Sequence, residues 1–176
     1  MGFFFARSSG VNIRQSGSNN IGATNVGRLA GKQAGVLTLA CDLGKGALPV
    51  ILANLMGTPQ GWIASVCLAA VLGHIYSPWL RFRGGKGVAT AAGTFLIAAP
   101  AATIICLVVF ALALKLSKRI SVGSLLSVIA LPFFLHGTGA IGQMTAAGAI
   151  VTVLVIIRHT ENIKRLLAGN EPKITS

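Results

Sequence analysis

A lysine flanked by glycines forms a short basic segment directly before an apolar stretch of the chain. Residues 84–87 are Gly84, Gly85, Lys86 and Gly87, and two arginines lie just before them. Glycine lets the backbone approach a ligand closely, and free backbone N–H groups at a helix start bind phosphate together with a lysine ammonium. A basic loop beside a membrane segment can also act only as a determinant of topology. The segment therefore indicates an anion site without establishing one.

A second polar segment, residues 17–28 (GSNNIGATNVGR), combines three glycines with hydroxyl, amide and guanidinium side chains. Ser18, Asn25 and Arg28 are its candidate ligand-binding residues, because successive backbone N–H groups in a glycine-rich loop can form an anion-binding nest. The segment is not a Walker A loop, since Arg28 and Leu29 stand where that motif has lysine and a hydroxyl residue. A nucleotide triphosphatase is therefore not indicated.

A third polar segment, residues 158–171 (RHTENIKRLLAGNE), follows the last apolar run. His159 and Asn162 are three residues apart and so share one face of a helix, while Glu161 and Arg165 are four apart and so could pair. Imidazole and carboxamide groups can each donate or accept hydrogen bonds to a substrate. A solvated amphipathic tail is the alternative interpretation of this segment.

Two charged residues, Asp42 and Lys45, lie inside an apolar run. Ionised groups are costly within a membrane, so they are by default functional or mutually paired. A salt bridge within one helical turn and a position facing the polar site are both compatible with their spacing.

The composition is that of a membrane protein. The 176 residues are 53% hydrophobic and only 10% charged, whereas a soluble domain has about 25% charged residues. The net charge of +12 does not indicate nucleic-acid binding, because the basic residues are confined to short spacers. The three cysteines lie far apart in apolar runs without the spacing of zinc ligands, so no metal site is expected. No cofactor is expected either. Five apolar runs are suited to membrane helices, for which about 20 residues complete a crossing: residues 36–56, 62–80, 88–114, 122–135 and 141–157.

The positions of the basic residues predict the topology. Residues 56–61 and 136–140 contain no lysine or arginine, whereas the other spacers are basic and are expected to be cytoplasmic. The run 88–114 must then begin and end on the same side. Pro100 is the predicted turning point, since proline disfavours helix in the preceding residue. We expect a hairpin of two short helices, residues 87–99 and 100–115, and the competing interpretation is one long span kinked at proline.

Taken together and in this order, the segments GSNNIGATNVGR, RGGKGVATAAG and RHTENIKRLLAGNE resemble the three motifs of the PlsY family of bacterial acyl-phosphate:glycerol-3-phosphate acyltransferases. The segments DLGKG and GHIYSPWLRF are similar to further family sequence. The resemblance covers about residues 12–171. It implies an all-α polytopic membrane enzyme of seven helices, with the three motifs on the cytoplasmic face.

The resemblance also implies a reaction, in which an acyl phosphate transfers its fatty acyl group to the 1-hydroxyl of glycerol 3-phosphate. The products are lysophosphatidic acid and phosphate. An acyl phosphate is already activated, so we expect direct attack by the hydroxyl, with the enzyme supplying positioning and charge stabilisation. The expected catalytic residues are Ser18, Arg28, His159 and Asn162; the expected substrate-binding residues are Asn25, Gly84, Gly85, Lys86, Gly87 and Thr90; and the expected supporting residues are Asp42, Lys45, His74, Arg165 and Glu171.

The chain departs from the family pattern at its start, where most of the first helix is missing. We therefore expect a single integral-membrane domain, residues 1–176, with about six membrane helices. Residues 1–10 would be the remnant of the first helix and residues 164–176 a cytoplasmic tail. Asn19, where glycine is common in the family, is expected to be tolerated.

The resemblance further implies a location and partners. We expect a multi-pass protein of the bacterial cytoplasmic (inner) membrane, with the bilayer, acyl phosphate and glycerol 3-phosphate as partners and a functional link to the enzyme that makes acyl phosphate. The alternative function is a membrane transporter of a phosphorylated solute, which would place polar groups at mid-membrane with access to both faces.

Overall fold

The computed structural model describes residues 1–174, which form nine α-helices and one short 3-10 helix. The predicted all-helical fold class is thereby confirmed for this part of the chain. In chain order the helices are α1 (Gly2–Ser8), α2 (Ala23–Leu29), α3 (Lys32–Leu55), α4 (Gln60–Ile75), the 3-10 helix (Pro78–Leu80), α5 (Val88–Ala98), α6 (Pro100–Ser117), α7 (Ile120–Gly137), α8 (Gly142–Arg158) and α9 (Thr160–Leu167).

Within residues 1–174, four helices are long and apolar enough to cross a membrane: α3, α4 extended by the 3-10 helix, α6 and α7. A fifth candidate span is α8, which has the required length only together with α9, bent by 60° from it. Because α9 carries Glu161, Lys164 and Arg165, it is too polar for the hydrocarbon and the span ends at the bend. The remaining apolar helix, α5, has only 11 residues, which is about 16 Å of helix and roughly half the hydrocarbon thickness. The chain is therefore a multi-pass membrane protein with one half-length helix.

The helices α5 and α6 form the predicted hairpin. They are separated only by Ala99, whose φ of −148° and ψ of 70° are not helical. Just before α5, the Lys86 ammonium contacts Asn162. Just after α6, Arg119 Nε donates to the carbonyl of Glu171 at 3.1 Å. Because both ends of the hairpin meet the same C-terminal segment, they lie on the same side of the protein, and a single kinked span is excluded.

The half-length helix α5 packs very closely on α3 through two glycines. A Cβ atom on Gly46 of α3 would overlap the carbonyl oxygen of Thr90, and one on Gly93 of α5 would overlap the carbonyl oxygen of Leu43. Small residues allow such close backbone approach between membrane helices. This contact holds one face of α5 against α3 and leaves another face free to border a cavity.

The C-terminal segment after α9 folds back onto the protein. The backbone N–H of Ile174 donates to the carbonyl of Lys118 at 2.7 Å, and Glu171 is buried. The alternative interpretation of residues 158–171 as a solvated tail is therefore wrong. Of the predicted tail, Thr175 and Ser176 lie outside the described residues.

Candidate active site

One buried side chain, Asn25, sets the shape of the loop before α2. Its Oδ1 accepts a hydrogen bond from the backbone N–H of Ser18 at 3.0 Å, and its Nδ2 donates to the carbonyls of Asn20 at 2.9 Å and Ser16 at 3.2 Å. Sequence reasoning expected Asn25 to bind substrate. In the structure its polar atoms are directed to the loop backbone, and they hold Ser18 at the edge of a cavity.

Gly84 and Gly85 lie between the C-terminal end of α4 and the side chain of Arg158. The N–H of Gly84 donates to the carbonyl of Ile75 at 3.0 Å, while Arg158 donates to the carbonyls of Gly84 at 3.1 Å and Gly85 at 3.3 Å. A Cβ atom on Gly84 would overlap the carbonyl oxygen of His74, and one on Gly85 would overlap its imidazole Nε2. Packing on α4 therefore leaves no room for a side chain at either glycine, a reason that sequence reasoning, which considered only a ligand, did not offer.

The next two residues connect this loop to α5. Gly87 is the residue before α5 and has a φ of 89°, in the left-handed region that glycine adopts readily. Gly87, Val88 and Ala89 border the cavity. The first turn of α5 therefore lies beside Lys86 at the polar end of the cavity.

A chain of polar contacts joins Lys86 to the C-terminal segment. The Lys86 ammonium donates to Asn162 Oδ1 at 2.5 Å, Asn162 Nδ2 donates to Glu171 Oε1 at 2.6 Å, and Arg165 Nε donates to Glu171 Oε2 at 2.7 Å. The pair of Glu161 with Arg165 that helical spacing allows is not formed, because the fold brings Glu171 to Arg165. Glu161 instead contacts the Lys164 ammonium at 2.9 Å.

The position of Glu171 explains both its burial and its charge. Although burial raises its pKa, donors on Ser121, Asn162 and Arg165 hold the pKa of Glu171 below its usual value. An ionised carboxylate at this point accepts from the carboxamide of Asn162 and so directs Asn162 Oδ1 toward Lys86. The structure therefore makes Glu171 a residue that orients its neighbours, consistent with the supporting role expected for it.

His159 lies at the bend between α8 and α9 and is buried, with 2% of its surface exposed. Its Nδ1 is 2.8 Å from the carbonyl oxygen of Val155. Because a carbonyl can only accept, Nδ1 carries the proton, and in the neutral ring Nε2 is left as an acceptor. Burial and the nearby Lys86 ammonium lower the pKa of His159 to about 4. The residue is therefore a neutral hydrogen-bond acceptor bordering the cavity.

The Lys86 ammonium is charged at neutral pH but is close to losing its proton. Burial lowers the pKa of Lys86 to about 8; Glu171 opposes this shift, and Arg165, Arg158 and Arg28 add to it. A bound phosphate would favour the charged ammonium, since an opposite charge within a few ångströms raises the pKa of a lysine. The site is therefore a concentration of positive charge that an anion would relieve.

Two adjoining cavities meet at these residues. The larger, of about 930 Å³, extends from the polar loops between α3, α5, α6 and α7, and the smaller, of about 300 Å³, lies beside its polar end. The residues that border both cavities are Ser18, Asn20, Lys86, Asn162 and Arg165. Arg28 and His159 border only the larger cavity, whose other end is apolar and includes Leu39, Leu43, Phe95, Leu107, Phe110 and Leu131.

Thr90 and Lys45 were predicted as site residues but border neither cavity. Thr90 is fully buried, and its carbonyl lies against Gly46 of α3. Lys45 forms the predicted salt bridge with Asp42, at 2.6 Å. Asp42 and His74, also predicted as supporting residues, border the larger cavity.

Sequence reasoning missed three features of the site. Arg158, considered only for topology, holds the glycine loop and borders the smaller cavity. Asn20 borders both cavities. The apolar lining from α6 and α7 was also missed, because leucine and phenylalanine in a membrane helix look alike whether they face lipid or a cavity. Of these three features, only Arg158 had a signal in the sequence, because it directly precedes the candidate site residue His159.

Comparison with known proteins gives one consistent result. The sequence model of the family described as glycerol-3-phosphate acyltransferase matches residues 1–169. Glycerol-3-phosphate acyltransferases of Geobacter sulfurreducens and Geotalea daltonii are 43% and 41% identical, each over 97% of this chain and 88% of the relative. The fold is similar to the crystal structure of PlsY, an integral membrane glycerol 3-phosphate acyltransferase, in its glycerol 3-phosphate form. The TM-score is 0.94 and the sequence identity is 35%, and the match covers 99% of this chain and 88% of the PlsY chain. The lysophosphatidic acid form of the same enzyme has TM-score 0.91.

Proposed function

The chain belongs to the glycerol-3-phosphate acyltransferase family, and on that basis we propose that it takes its acyl group from an acyl phosphate. The group is transferred to the 1-hydroxyl of glycerol 3-phosphate, which gives lysophosphatidic acid and inorganic phosphate. The observation that carries this proposal is the continuity of the larger cavity, which is cationic at one end and apolar at the other. Such a cavity suits a donor that has a phosphate head and an alkyl tail.

The two cavities divide the substrates between them. The smaller cavity is bordered by the cationic side chains of Lys86, Arg158 and Arg165 and is assigned to the phosphate of glycerol 3-phosphate. The larger cavity holds the acyl phosphate, with its phosphate near Ser18 and Arg28 and its tail between α3, α5, α6 and α7. The reacting atoms then meet where the cavities join.

The transfer needs no covalent intermediate with the enzyme. The 1-hydroxyl oxygen attacks the acyl carbonyl carbon, the bond from that carbon to the phosphate oxygen breaks, and phosphate leaves with the electron pair. Nε2 of His159 accepts a hydrogen bond from the attacking hydroxyl and orients it. With a pKa of about 4, His159 is a weaker base than phosphate, whose second pKa is about 6 as an ester. The proton of the hydroxyl therefore ends on the departing phosphate.

The developing negative charge is stabilised by groups that are already in place. Arg28 and the Ser18 hydroxyl are at the donor's phosphate, where the charge develops. Lys86, held by Asn162 before any substrate arrives, binds the phosphate of glycerol 3-phosphate. Preorganised donors of this kind each account for about 100- to 1,000-fold in rate when removed from a charge-stabilising site. The same preorganisation positions the hydroxyl for attack.

We also propose an orientation and a location. The basic loops lie at one end of the helices, as the contact of Arg14 Nη2 with the carbonyl of Leu80 at 3.0 Å illustrates for two of them. By the excess of positive charge on cytoplasmic loops, this end faces the cytoplasm of a bacterial cell and the helices cross its inner membrane. Acyl phosphate is a reactive anhydride, so the enzyme that makes it is the expected functional partner.

The test is donor-dependent product formation by the purified protein in lipid nanodiscs. Palmitoyl phosphate with glycerol 3-phosphate is expected to give lysophosphatidic acid and an equal amount of phosphate, whereas palmitoyl-CoA is expected to give none. Equal use of palmitoyl-CoA would overturn the choice of donor. Absence of product with either donor, together with uptake of glycerol 3-phosphate into proteoliposomes, would instead support the transporter alternative.

A further inference from the structure

The imidazole of His74 lies directly beneath the glycine loop and has no role in the transfer described above. It belongs to the last turn of α4 and has 8% of its surface exposed. A Cβ atom built on Gly85 would overlap its Nε2 and would lie 2.8 Å from its Cε1 and 3.3 Å from its Cδ2. The ring therefore fills the space that any side chain at position 85 would need.

The glycine loop is held from two opposite sides. On one side, the ring and carbonyl of His74 and the carbonyl of Ile75 form the surface on which Gly84 and Gly85 rest. On the other side, the guanidinium of Arg158 donates to the carbonyls of both glycines. The position of the loop between these two sets of contacts decides where Lys86, the next residue, places its ammonium group.

The ring of His74 is itself constrained by charge. Its Nδ1 has no hydrogen-bond partner among residues 1–174 and lies 3.8 Å from Asp42 Oδ1. This separation is longer than a hydrogen bond, but a buried carboxylate at that distance attracts an N–H on Nδ1. With Nδ1 directed to Asp42, Nε2 faces Gly85, so the pair Asp42 and Lys45 in α3 orients a ring that supports the loop after α4.

We propose that His74 is a positioning residue for glycerol 3-phosphate: its ring supports Gly85 and thereby sets the place of the Lys86 ammonium. This inference rests on the proposed function, in which Lys86 binds the phosphate of glycerol 3-phosphate. It assigns the requirement for glycine at position 85 to His74, not to a substrate that approaches the backbone. Because His74 acts through the loop, it affects substrate binding and leaves the chemical step unchanged.

A double-mutant cycle between positions 74 and 85 tests this assignment, because coupled residues show non-additive effects. Gly85→Ala is expected to raise the KM for glycerol 3-phosphate at least tenfold, or about 1.4 kcal/mol, since the new methyl group lifts the loop from the ring. In the His74→Ala background the same change is expected to raise this KM by less than about threefold, because the space of the ring is then free. The KM for acyl phosphate and kcat are expected to stay unchanged in all three variants.

The control substitution is Gly73→Ala, one residue earlier on α4. A Cβ atom there meets nothing within 4 Å, so the KM for glycerol 3-phosphate is expected to match the wild type and the melting temperature is not expected to fall. His74→Asn provides a second background if His74→Ala does not fold, since it shortens the side chain and keeps a polar group near Asp42.

The same cycle is measured by melting temperature in detergent, without substrate. Gly85→Ala is expected to lower the melting temperature, and His74→Ala is expected to remove most of that loss. Equal effects of Gly85→Ala in both backgrounds, on KM and on melting temperature, would overturn the proposal. If the wild type makes no lysophosphatidic acid, the proposed function fails, while the melting temperatures still test the contact between the ring and Gly85.

Discussion

His159 is expected to remain neutral across the physiological pH range and to take up a proton only near pH 4. The two physical causes are its burial and the ammonium of Lys86, which together lower its pKa from 6.5 to about 4. At about 1.4 kcal/mol per pKa unit, this shift corresponds to roughly 3 kcal/mol against the protonated ring in the folded protein.

The lowered pKa of His159 makes the folded protein less stable as the pH falls. Between pH 6.5 and about 4 the unfolded chain binds a proton at His159 that the folded protein does not. The free energy of unfolding therefore falls as the pH is lowered through this window, by at most roughly 3 kcal/mol from this one group. His159→Gln has no titrating ring and is expected to show a smaller loss of melting temperature over the same window.

The direct assay is nitrogen NMR of the protein labelled at its three histidines, with signals assigned by single substitutions. His159 is expected to show a neutral ring with the proton on Nδ1 from pH 8 down to pH 5, since Nδ1 donates to the Val155 carbonyl. Lys86→Gln removes a neighbouring charge and is expected to raise the pKa of His159. Lys164→Gln is the matched control, because the Lys164 ammonium is paired with Glu161.

Two results would refute this reasoning. A titration of His159 between pH 6 and pH 7 would mean that the ring is hydrated and can act as a general base near neutral pH. A neutral ring with its proton on Nε2 would remove the acceptor that the attacking hydroxyl requires. The first result would make His159 the proton acceptor in place of the departing phosphate, whereas the second would exclude His159 as an acceptor of any kind for the hydroxyl.

Substitutions at Lys86 and Glu171 test the polar contacts of the site, and cysteine labelling tests the orientation in the membrane. Lys86→Gln is expected to raise the KM for glycerol 3-phosphate by about 10- to 100-fold, since a hydrogen bond to a charged group contributes roughly 1.5–3 kcal/mol. In the wild type, initial rates are expected to show the same KM rising as the pH passes through about 8, because Lys86 loses its proton there. Glu171→Gln leaves the Arg165 guanidinium without its carboxylate, so the melting temperature and kcat are both expected to fall, whereas an unchanged kcat would show that this carboxylate orients nothing essential. A cysteine at Thr58 is expected to react with an impermeant reagent outside intact cells and one at Ser117 only after lysis, and the opposite pattern would invert the proposed orientation.

The amino-acid sequence by itself determined the membrane class and located most of the polar motifs, and it favoured the hairpin over a single kinked span. The length of an apolar run and the sign of charge in a spacer are local properties, so they can be read without knowing what packs against what. Pro100 indicated the break between α5 and α6 for the same reason, because proline acts on the residue directly before it. The salt bridge of Asp42 with Lys45 was also predictable, since both residues lie on one turn of one helix.

Tertiary structure decided which of the candidate groups meet. Lys86 and Asn162 are 76 residues apart, and no spacing rule relates two such positions. Helical spacing favoured Glu161 as the partner of Arg165, but the chain turns back after α9 and places Glu171 there.

The glycine loop and the cavity show the same limit. Glycine at position 85 is compatible with a nearby ligand and with a nearby ring, and only the packing of α4 shows that the imidazole of His74 occupies that space. Thr90 follows the glycine loop closely in sequence, yet the close contact of α5 with α3 buries it outside the cavity. Side-chain type decides what chemistry a residue can do, but which face of a helix is covered depends on partners that are distant in the chain.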